Sequence, residues 1–381
     1  MDSESRLAAA LAVLADGKVV AVLGGGADDP AGTGSGGTAA LVTAAAGLEI
    51  AVMAFLVRHS GGIVCAAMHG SHLERLRIPS QLGPGGERGV PEFAVSVDLR
   101  DGVSTGISAR DRALTLRALA HPRTIPEDLV RPGHVLPIRC SEGGVLDRPA
   151  IEEAAVDLCS LAGLGPCAAF APVAPDLAGE NVAEMVRRLA RDGGIPWVTV
   201  PDVARYRRLT ETHVARTVAI GLPTPHGEFR AVDYGYSRDG SDHLVLYLGD
   251  PAGEDVLVRV HAECVMGDVL GSRRCLCARA LEASMRAIGA AGRGVLIYLR
   301  ERNQAGVGLA HVVYGCAERN ERDETIAAHI LRDLGVRSAT LLTDSPDGAV
   351  GPTGFGVTIN RRVPVVDAAA AEGPPLAAGV A

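Results

Sequence analysis

Apolar residues recur along this chain at two spacings, and the spacing changes from one segment to the next. Leu7, Leu11 and Leu14 recur at helical spacing and Gly17 follows them, so residues 4–17 are predicted to form an amphipathic helix. Short continuous apolar runs are typical of buried strands. Such runs predict strands at 19–23, 195–200, 256–261, 295–299 and 338–342. Because helical and strand patterns alternate, we expect an α+β (α/β-like) sandwich architecture.

Further helical patterns and one polar stretch predict the division into domains. Helices are predicted at 38–57, 104–119, 151–163, 182–192, 278–291 and 324–334. Ser108 is placed to cap the second of these helices, and Gly292 to end the fifth. The polar residues 209–220 are predicted to link a domain over 1–208 to a second over 221–365. The Ala-, Val-, Gly- and Pro-rich residues 366–381 are expected to be a disordered tail.

Composition narrows the classes of partner. The 381 residues are 47% apolar, which is enough for two cores, but only 3% aromatic, which argues against base-stacking platforms. The net charge of −8 and the absence of a basic stripe argue against nucleic-acid binding. Residues 1–20 are too polar for a secretory leader, and no uncharged apolar run reaches the length of a membrane span. We therefore expect a cytoplasmic protein with a small-molecule substrate.

Three cysteines are the strongest chemical signal. Cys264, Cys275 and Cys277 have the spacing Cys-x10-Cys-x-Cys, and in a reducing compartment such clusters ligate metal more often than they form disulfides. Three thiolates around zinc leave the fourth tetrahedral position for water, as in a catalytic site. His261 or Cys316 could instead close the site as a structural one. Buried, reduced cysteines without metal are the third interpretation.

The glycine-rich residues 24–37 are a weaker signal. They contain neither GxxxxGK[ST] nor a GxGxxG that opens a helix, so a flexible surface loop is the favoured interpretation over a phosphate cradle.

The order of short motifs points to a family. In the first half these are Arg58-His59, Gly62-Ile-Val-Cys65, Ser104–Arg112, Arg131-Pro-Gly-His134 and Gly143-Gly-Val-Leu146. In the second half they are Leu222-Pro-Thr224, Arg259–Cys264, Gly267-Asp268, Arg274-Cys-Leu-Cys277, Arg322-Asp323, Leu334-Gly-Val336 and Leu341-Leu-Thr343. The chain resembles the bifunctional riboflavin-biosynthesis proteins, which join 3,4-dihydroxy-2-butanone 4-phosphate synthase to GTP cyclohydrolase II.

The resemblance implies a synthase fold for the first half but raises doubt about its chemistry. The family synthase rearranges ribulose 5-phosphate with a divalent metal, held by a Glu in an acidic loop and a His on a later helix. Here residues 24–37 replace the acidic loop, and Ile151 replaces the ligand His. We therefore expect no Mg²⁺ site and no synthase activity. His134 matches a catalytic His and Arg148 a substrate-binding Arg, and both are interpreted as remnants, with His134 retained for structure.

For the second half the resemblance implies one Zn²⁺ per chain, held by the three cysteines. The family enzyme opens the imidazole ring of GTP and releases formate and pyrophosphate. Arg259 and Glu263 match its nucleotide-binding segment, and Thr343 matches a nucleotide contact. Arg322 matches an arginine that acts at the α-phosphate. Arg322 and Glu263 are the catalytic candidates by this resemblance, and family members are dimers, so a homodimer is expected.

The second half also departs from the family pattern. Asn320 stands where the family has an acid, and only twelve residues separate Leu309 from Arg322. The segment that starts at Arg300 lacks the Arg of the family's Glu-Gly-Arg, and Asp347 occurs near the position of a family Lys. Because a triphosphate needs cationic partners, the sequence favours a zinc hydrolase of a less anionic, nucleotide-related substrate in a specialised pathway. The alternatives are a catalytically silent scaffold with structural zinc, and a genuine GTP cyclohydrolase II.

Overall fold

The computed structural model describes residues 3–24, 38–81, 91–173, 182–238, 240–300, 321–344 and 356–365. The chain divides into two units, Met1–Arg207 and Arg208–Ala381. Each unit contains its own mixed sheet with helices packed on both faces. The expected two-domain α+β architecture is therefore confirmed.

The first unit is built around a sheet that has eight strands among the described residues. The strands are β1 Val20–Leu23, β2 Ala39–Ala44, β3 Cys65–His69, β4 Glu92–Phe93, β5 Val97–Leu99, β6 Leu129–Cys140, β7 Cys167–Val173 and β8 Trp197–Thr199. Their order is β4-β6-β3-β7-β2-β1-β8, and β5 pairs with β6. The pairs β3–β6 and β1–β8 are parallel, and the others are antiparallel.

Helices cover both faces of this sheet. They are α1 Ser3–Ala15, α2 Ile50–Arg58, α3 Gly70–Arg75, α4 Ala109–Ala120, α5 Ile151–Leu161, α6 Val182–Gly193 and α7 Val200–Thr210. Successive residues of β2 point to opposite faces: Leu41 packs in the core that contains α2 and α4, and Val42 in the core that contains α1 and α5. The predicted cap of α4 is confirmed, because Ser108 Oγ accepts a hydrogen bond from the backbone N–H of Asp111 at 3.0 Å.

One predicted helix is partly wrong. Residues 38–57 were expected to be helical throughout, but Ala39–Ala44 is a strand and the helix begins at Ile50. The strand forms because β1 and β7 pair with its two edges and all six of its residues are buried. Pairing partners that are distant in sequence override the helical preference of the alanines.

The second unit has a seven-stranded sheet within the described ranges. Its strands are β9 Val214–Thr224, β10 Gly227–Tyr236, β11 Ser241–Leu248, β12 Val256–Ala262, β13 Gly294–Leu299, β14 Ser338–Leu342 and β15 Thr358–Val363. The order is β15-β14-β12-β13-β11-β10-β9, with the first four strands mutually parallel and the rest antiparallel. Helix α8, Cys277–Ala291, packs on one face, and helix α9, Glu321–Asp333, on the other. Gly292 ends α8 in a left-handed conformation, as predicted.

The predicted linker 209–220 differs from the structure. From Val214 onward these residues form β9, which pairs with β10 along its whole length. The polar and apolar residues of this stretch alternate weakly, because β9 is an edge strand whose residues 215–221 are all exposed. The expected tail, 366–381, and almost all of the glycine-rich loop lie outside the described residues. Across the described ranges, no helix has the length and apolar character that a bilayer span requires.

Candidate metal centre

The three cysteines lie together beyond the end of a parallel strand. Cys264 follows β12, Cys275 lies in the next turn, and Cys277 is the first residue of α8. Their sulfur atoms all lie within 4.8 Å of one another, and the Sγ atoms of Cys264 and Cys275 are 3.8 Å apart. The structure thus brings together the three residues that the sequence singled out.

This donor set fits a zinc ion. Zinc bonded to sulfur at about 2.3 Å in a tetrahedron holds its sulfur ligands about 3.8 Å apart, as the first two thiols are here. Gly267 lies against the cluster: a Cβ at this position would come within 2.7 Å of Cys275 Sγ and 3.2 Å of Cys264 Sγ. Only glycine leaves the room that the sulfurs occupy. Cys264, Cys275 and Cys277 would therefore hold the ion.

Of the two residues that could supply a fourth ligand, the structure describes His261 and not Cys316. His261 Nε2 lies 3.0 Å from Asp268 Oδ2, so the ring is bonded to a carboxylate. Among the described His, Cys, Asp and Glu residues, the group of converging ligand atoms contains the three thiols only. Cys316 lies outside the described residues.

Asp268 is a residue of this centre that sequence reasoning did not single out for a role. Its Oδ2 accepts hydrogen bonds from the backbone N–H of Cys264 at 3.0 Å and from Tyr298 Oη at 2.9 Å. Burial opposes ionisation of this carboxyl, but its hydrogen bonds, above all that from His261, lower its pKa. Burial and the bond to Asp268 raise the pKa of Tyr298. The spacing of Cys264 and Asp268 is the sequence signal that could have identified this acid, because residues four apart lie close together across a helical turn.

The nucleotide-contact candidates lie near the same edge of the sheet. Arg259 Nη1, on β12, donates to the carbonyl oxygen of Leu342 at 2.9 Å and lies 3.5 Å from Asp344 Oδ2. Thr343 follows β14 and is buried, with its N–H bonded to Val363 O at 2.9 Å. The N–H of Glu263 donates to Leu299 O at 2.8 Å. Since β12, β13 and β14 are parallel, their carboxyl ends form one edge, where ligands bind in such sheets.

Arg322 is only partly located by the structure. It lies in the first turn of α9, and its side chain is outside the described part of the chain. Residues 301–320, which include Asn320 and most of the segment that departs from the family pattern, also lie outside, as does Asp347.

In the first unit, the two predicted remnants each pair with a carboxylate. His134 Nδ1 lies 2.6 Å from Asp98 Oδ2, and the Asp98 Oδ1 accepts from the His134 backbone N–H at 2.9 Å. Arg148 Nε donates to Glu153 Oε1 at 2.6 Å, where Glu153 is fully buried. Neither acid was identified from the sequence.

Position 151 is apolar and packed. Ile151 begins α5 and is 9% exposed, and a Cβ on Gly24 would come within 3.1 Å of its Cγ2 atom. No group of three or more metal-ligating side chains is found among the described residues of this unit. Asp28 and Asp29 lie outside those residues.

The adjacent carboxyls of α5 should respond in opposite ways to neutralisation. Burial, followed by the charge of Glu153, raises the pKa of Glu152. The unfolded chain ionises this group near its ordinary value of 4.5, so it lowers stability as pH rises from there towards the folded-state pKa. We expect Glu152→Gln to stabilise the first unit at pH 7 but not at pH 4.

Glu153→Gln is the matched control, because it breaks the ion pair with Arg148 and should cost about 3 kcal/mol. Trp197, the single tryptophan of the chain, lies in this unit, so its fluorescence during urea unfolding reports on this unit. Equal effects of the two substitutions at pH 7 would contradict the assignment.

Comparisons with known proteins match the two units of the chain to two different families. A family model for 3,4-dihydroxy-2-butanone 4-phosphate synthase matches residues 8–206, and one for GTP cyclohydrolase II matches 215–364. The chain is 39% identical to the riboflavin biosynthesis protein RibBA of Mycobacterium avium, over 98% of this chain and 91% of that protein. It is also 39% identical to RibBA of Mycobacterium marinum, over 84% and 81%. A solved structure of RibBX, a two-domain 3,4-dihydroxy-2-butanone 4-phosphate synthase from A. baumannii, superposes with a TM-score of 0.69 at 26% identity, covering 94% of this chain and 99% of that one.

Proposed function

Because this chain belongs to the family of bifunctional riboflavin biosynthesis proteins, we propose that its second unit is a zinc-dependent GTP cyclohydrolase II. The observation that carries the proposal is the cysteine cluster, whose sulfur spacing and adjoining Gly267 suit a zinc ion. The reaction opens the imidazole ring of GTP and releases formate and pyrophosphate. A zinc ion with three thiolate ligands supplies a Lewis acid that activates water for such a hydrolysis.

Of the three functions that the sequence leaves open, a genuine GTP cyclohydrolase II is the one proposed here in place of a hydrolase with an altered substrate. The departures near Asn320 favoured a less anionic substrate in a specialised pathway, but that idea rests on residues outside the described ranges. The match over 215–364 and the identity with RibBA proteins support riboflavin biosynthesis instead. A silent scaffold with structural zinc is the remaining alternative, and the same assay tests it.

The candidate residues of the second unit would have different roles in the reaction. Arg259 donates to the carbonyl oxygen of Leu342, the residue before Thr343, and both Arg259 and Thr343 would contact the nucleotide near the carboxyl edge of the parallel strands. Arg322, in the first turn of α9, would act at the α-phosphate, and Glu263, which precedes Cys264 in the chain, would contact the nucleotide and is the second catalytic candidate. These roles come from the family resemblance, and the positions of Arg259, Thr343 and Glu263 are compatible with them.

The direct test is incubation of the zinc-loaded protein with GTP. We expect formate and pyrophosphate in equal amounts, together with a pyrimidine product identified by mass spectrometry. ATP at the same concentration is the control for base recognition. If zinc-loaded protein releases no formate from GTP, the cyclohydrolase proposal is wrong, and stoichiometric zinc in such a sample would favour the scaffold.

The first unit has conflicting support for its activity. The family match over 8–206 favours a synthase, whereas Ile151 cannot ligate a metal. We propose that this unit keeps the synthase fold without Mg²⁺ and without the rearrangement. His134 and Arg148, with their partners Asp98 and Glu153, would then stabilise the fold.

We also propose a cytoplasmic homodimer. GTP is a cytoplasmic substrate, and strand β9, which lies at the edge of the sheet formed by the described residues, leaves Val218 and Ile220 61% and 55% exposed. A second copy of the chain would cover them. Light scattering at micromolar concentration measures the mass, and a monomer would contradict the proposal.

A further inference from the structure

The carboxylate of Asp268 is the meeting point of three segments of the second unit. Cys264 directly precedes the π-helical turn Val265–Val269, His261 belongs to β12 and Tyr298 to β13. All three donate to this one carboxylate, at distances between 2.9 and 3.1 Å. The Asp268 and His261 side chains are only 4% and 3% exposed, so these bonds are shielded from water.

The sheet fixes the two side chains that hold Asp268. His261 and Tyr298 are direct partners in the register of the parallel strands β12 and β13. Their rings stack, with centroids 5.5 Å apart and planes inclined by 22°. A tyrosine hydroxyl and an imidazole therefore reach the carboxylate from a rigid part of the core, rather than from a loop.

Two hydrogen bonds of opposite direction join Asp268 to the backbone of Cys264. Residues Val265–Val269 form a π-helical turn, in which the N–H of Asp268 donates to the carbonyl oxygen of Cys264 at 2.7 Å. The N–H of Cys264 donates back to the Asp268 carboxylate at 3.0 Å. Gly267 N–H, inside the same turn, points at Cys264 Sγ at 3.4 Å. The conformation of the backbone at Cys264, and hence the direction of its sulfur, depends on this closed loop of bonds.

We propose that Asp268, anchored by Tyr298 and His261, is a positioning residue that holds Cys264 in the geometry required for metal binding. Among the described residues the converging ligand atoms are the three thiols alone, so Asp268 would act through its bond to the Cys264 backbone. The inference rests on the proposed function only for the presence of the metal. Groups that orient metal ligands contribute about 10- to 100-fold to metal affinity, and this range sets the size of the expected effect.

Zinc affinity, measured by competition with a chromogenic chelator on the full-length protein, tests the proposal. Asp268→Asn keeps the size of the side chain but replaces one acceptor oxygen by a donor, so the four bonds can no longer all form. We expect a 10- to 100-fold weaker affinity for Zn²⁺. Tyr298→Phe removes one hydroxyl only, and we expect a severalfold loss. Tyr247→Phe, on the neighbouring strand β11, is the matched control and should bind zinc as the wild type does.

A second readout separates positioning from general destabilisation. With Co²⁺ in place of zinc, the thiolate-to-cobalt absorption of Tyr298→Phe should shift relative to wild type, because the direction of the Cys264 sulfur changes. Loss of foldedness alone would reduce the intensity without shifting the band. Unchanged zinc affinity and cobalt spectra in both variants, with a wild type that binds metal, would overturn the inference and leave the cyclohydrolase proposal standing. A wild type that binds neither ion would overturn both.

Discussion

Replacing Cys275 with serine is expected to abolish formate release from GTP and to remove zinc from the purified protein. The Cys275 sulfur lies 3.8 Å from that of Cys264, the spacing of two ligands on one zinc ion. A serine hydroxyl stays protonated at neutral pH and is a poor zinc ligand. Losing a Lewis acid that contributes several kcal/mol to a hydrolysis reduces the rate by roughly 10³-fold or more.

The matched control is Cys167→Ser in the first unit. The Cys167 thiol is buried, whereas Cys275 is half-buried, and burial raises the pKa of Cys167 to about 12, so it is not a thiolate at neutral pH. The control should lower stability while zinc content and formate release remain those of the wild type. Metal analysis by mass spectrometry, formate assay and circular dichroism are made on the same samples. Stoichiometric zinc in folded Cys275→Ser protein would show that the cysteine cluster is not the site.

The parts of the fold that the sequence predicted are those with local signals. The cap at Ser108 and the stop at Gly292 depend on residues within one helical turn, and both are present. The strand Ala39–Ala44 has no such local signal. Alanine is the best helix former, and the strand exists through its pairing with β1 and β7. Strand pairing joins residues far apart in sequence, and a single sequence contains no direct record of it.

The residues of the candidate site also divide into those with a local sequence signal and those brought together only by strand pairing. The cysteine spacing identified all three thiols, since ligands of one ion often lie within one short segment. Tyr298 was not identified, because it reaches Asp268 only through the register that places it beside His261. The carboxylate partners of His134 and Arg148 differ in their separation along the sequence. Glu153 lies five residues from Arg148 and could have been proposed, whereas Asp98 lies thirty-six residues from His134.

The first unit is expected to form no 3,4-dihydroxy-2-butanone 4-phosphate from ribulose 5-phosphate and Mg²⁺. Isoleucine has no lone pair, and Ile151 is packed at the start of α5 where the family resemblance requires the histidine ligand. Without a bound cation nothing polarises the sugar carbonyl, and groups that act together lose nearly all of their effect when one is missing. We expect formate release at the rate of a protein-free blank.

A two-domain synthase such as that of A. baumannii, assayed in parallel, shows that the conditions support the reaction. GTP is omitted, so that formate from the second unit cannot contribute to the signal. Formate above the blank would contradict the prediction, and Asp28 and Asp29, the acids of the glycine-rich loop outside the described residues, would then be candidate metal ligands. In that case Asp28→Asn and Asp29→Asn should each suppress the rate, whereas Glu152→Gln, which changes a neighbouring carboxyl of α5, should not. The matching of this unit to the synthase family and its apolar residue at position 151 make opposite predictions, and this one measurement decides between them.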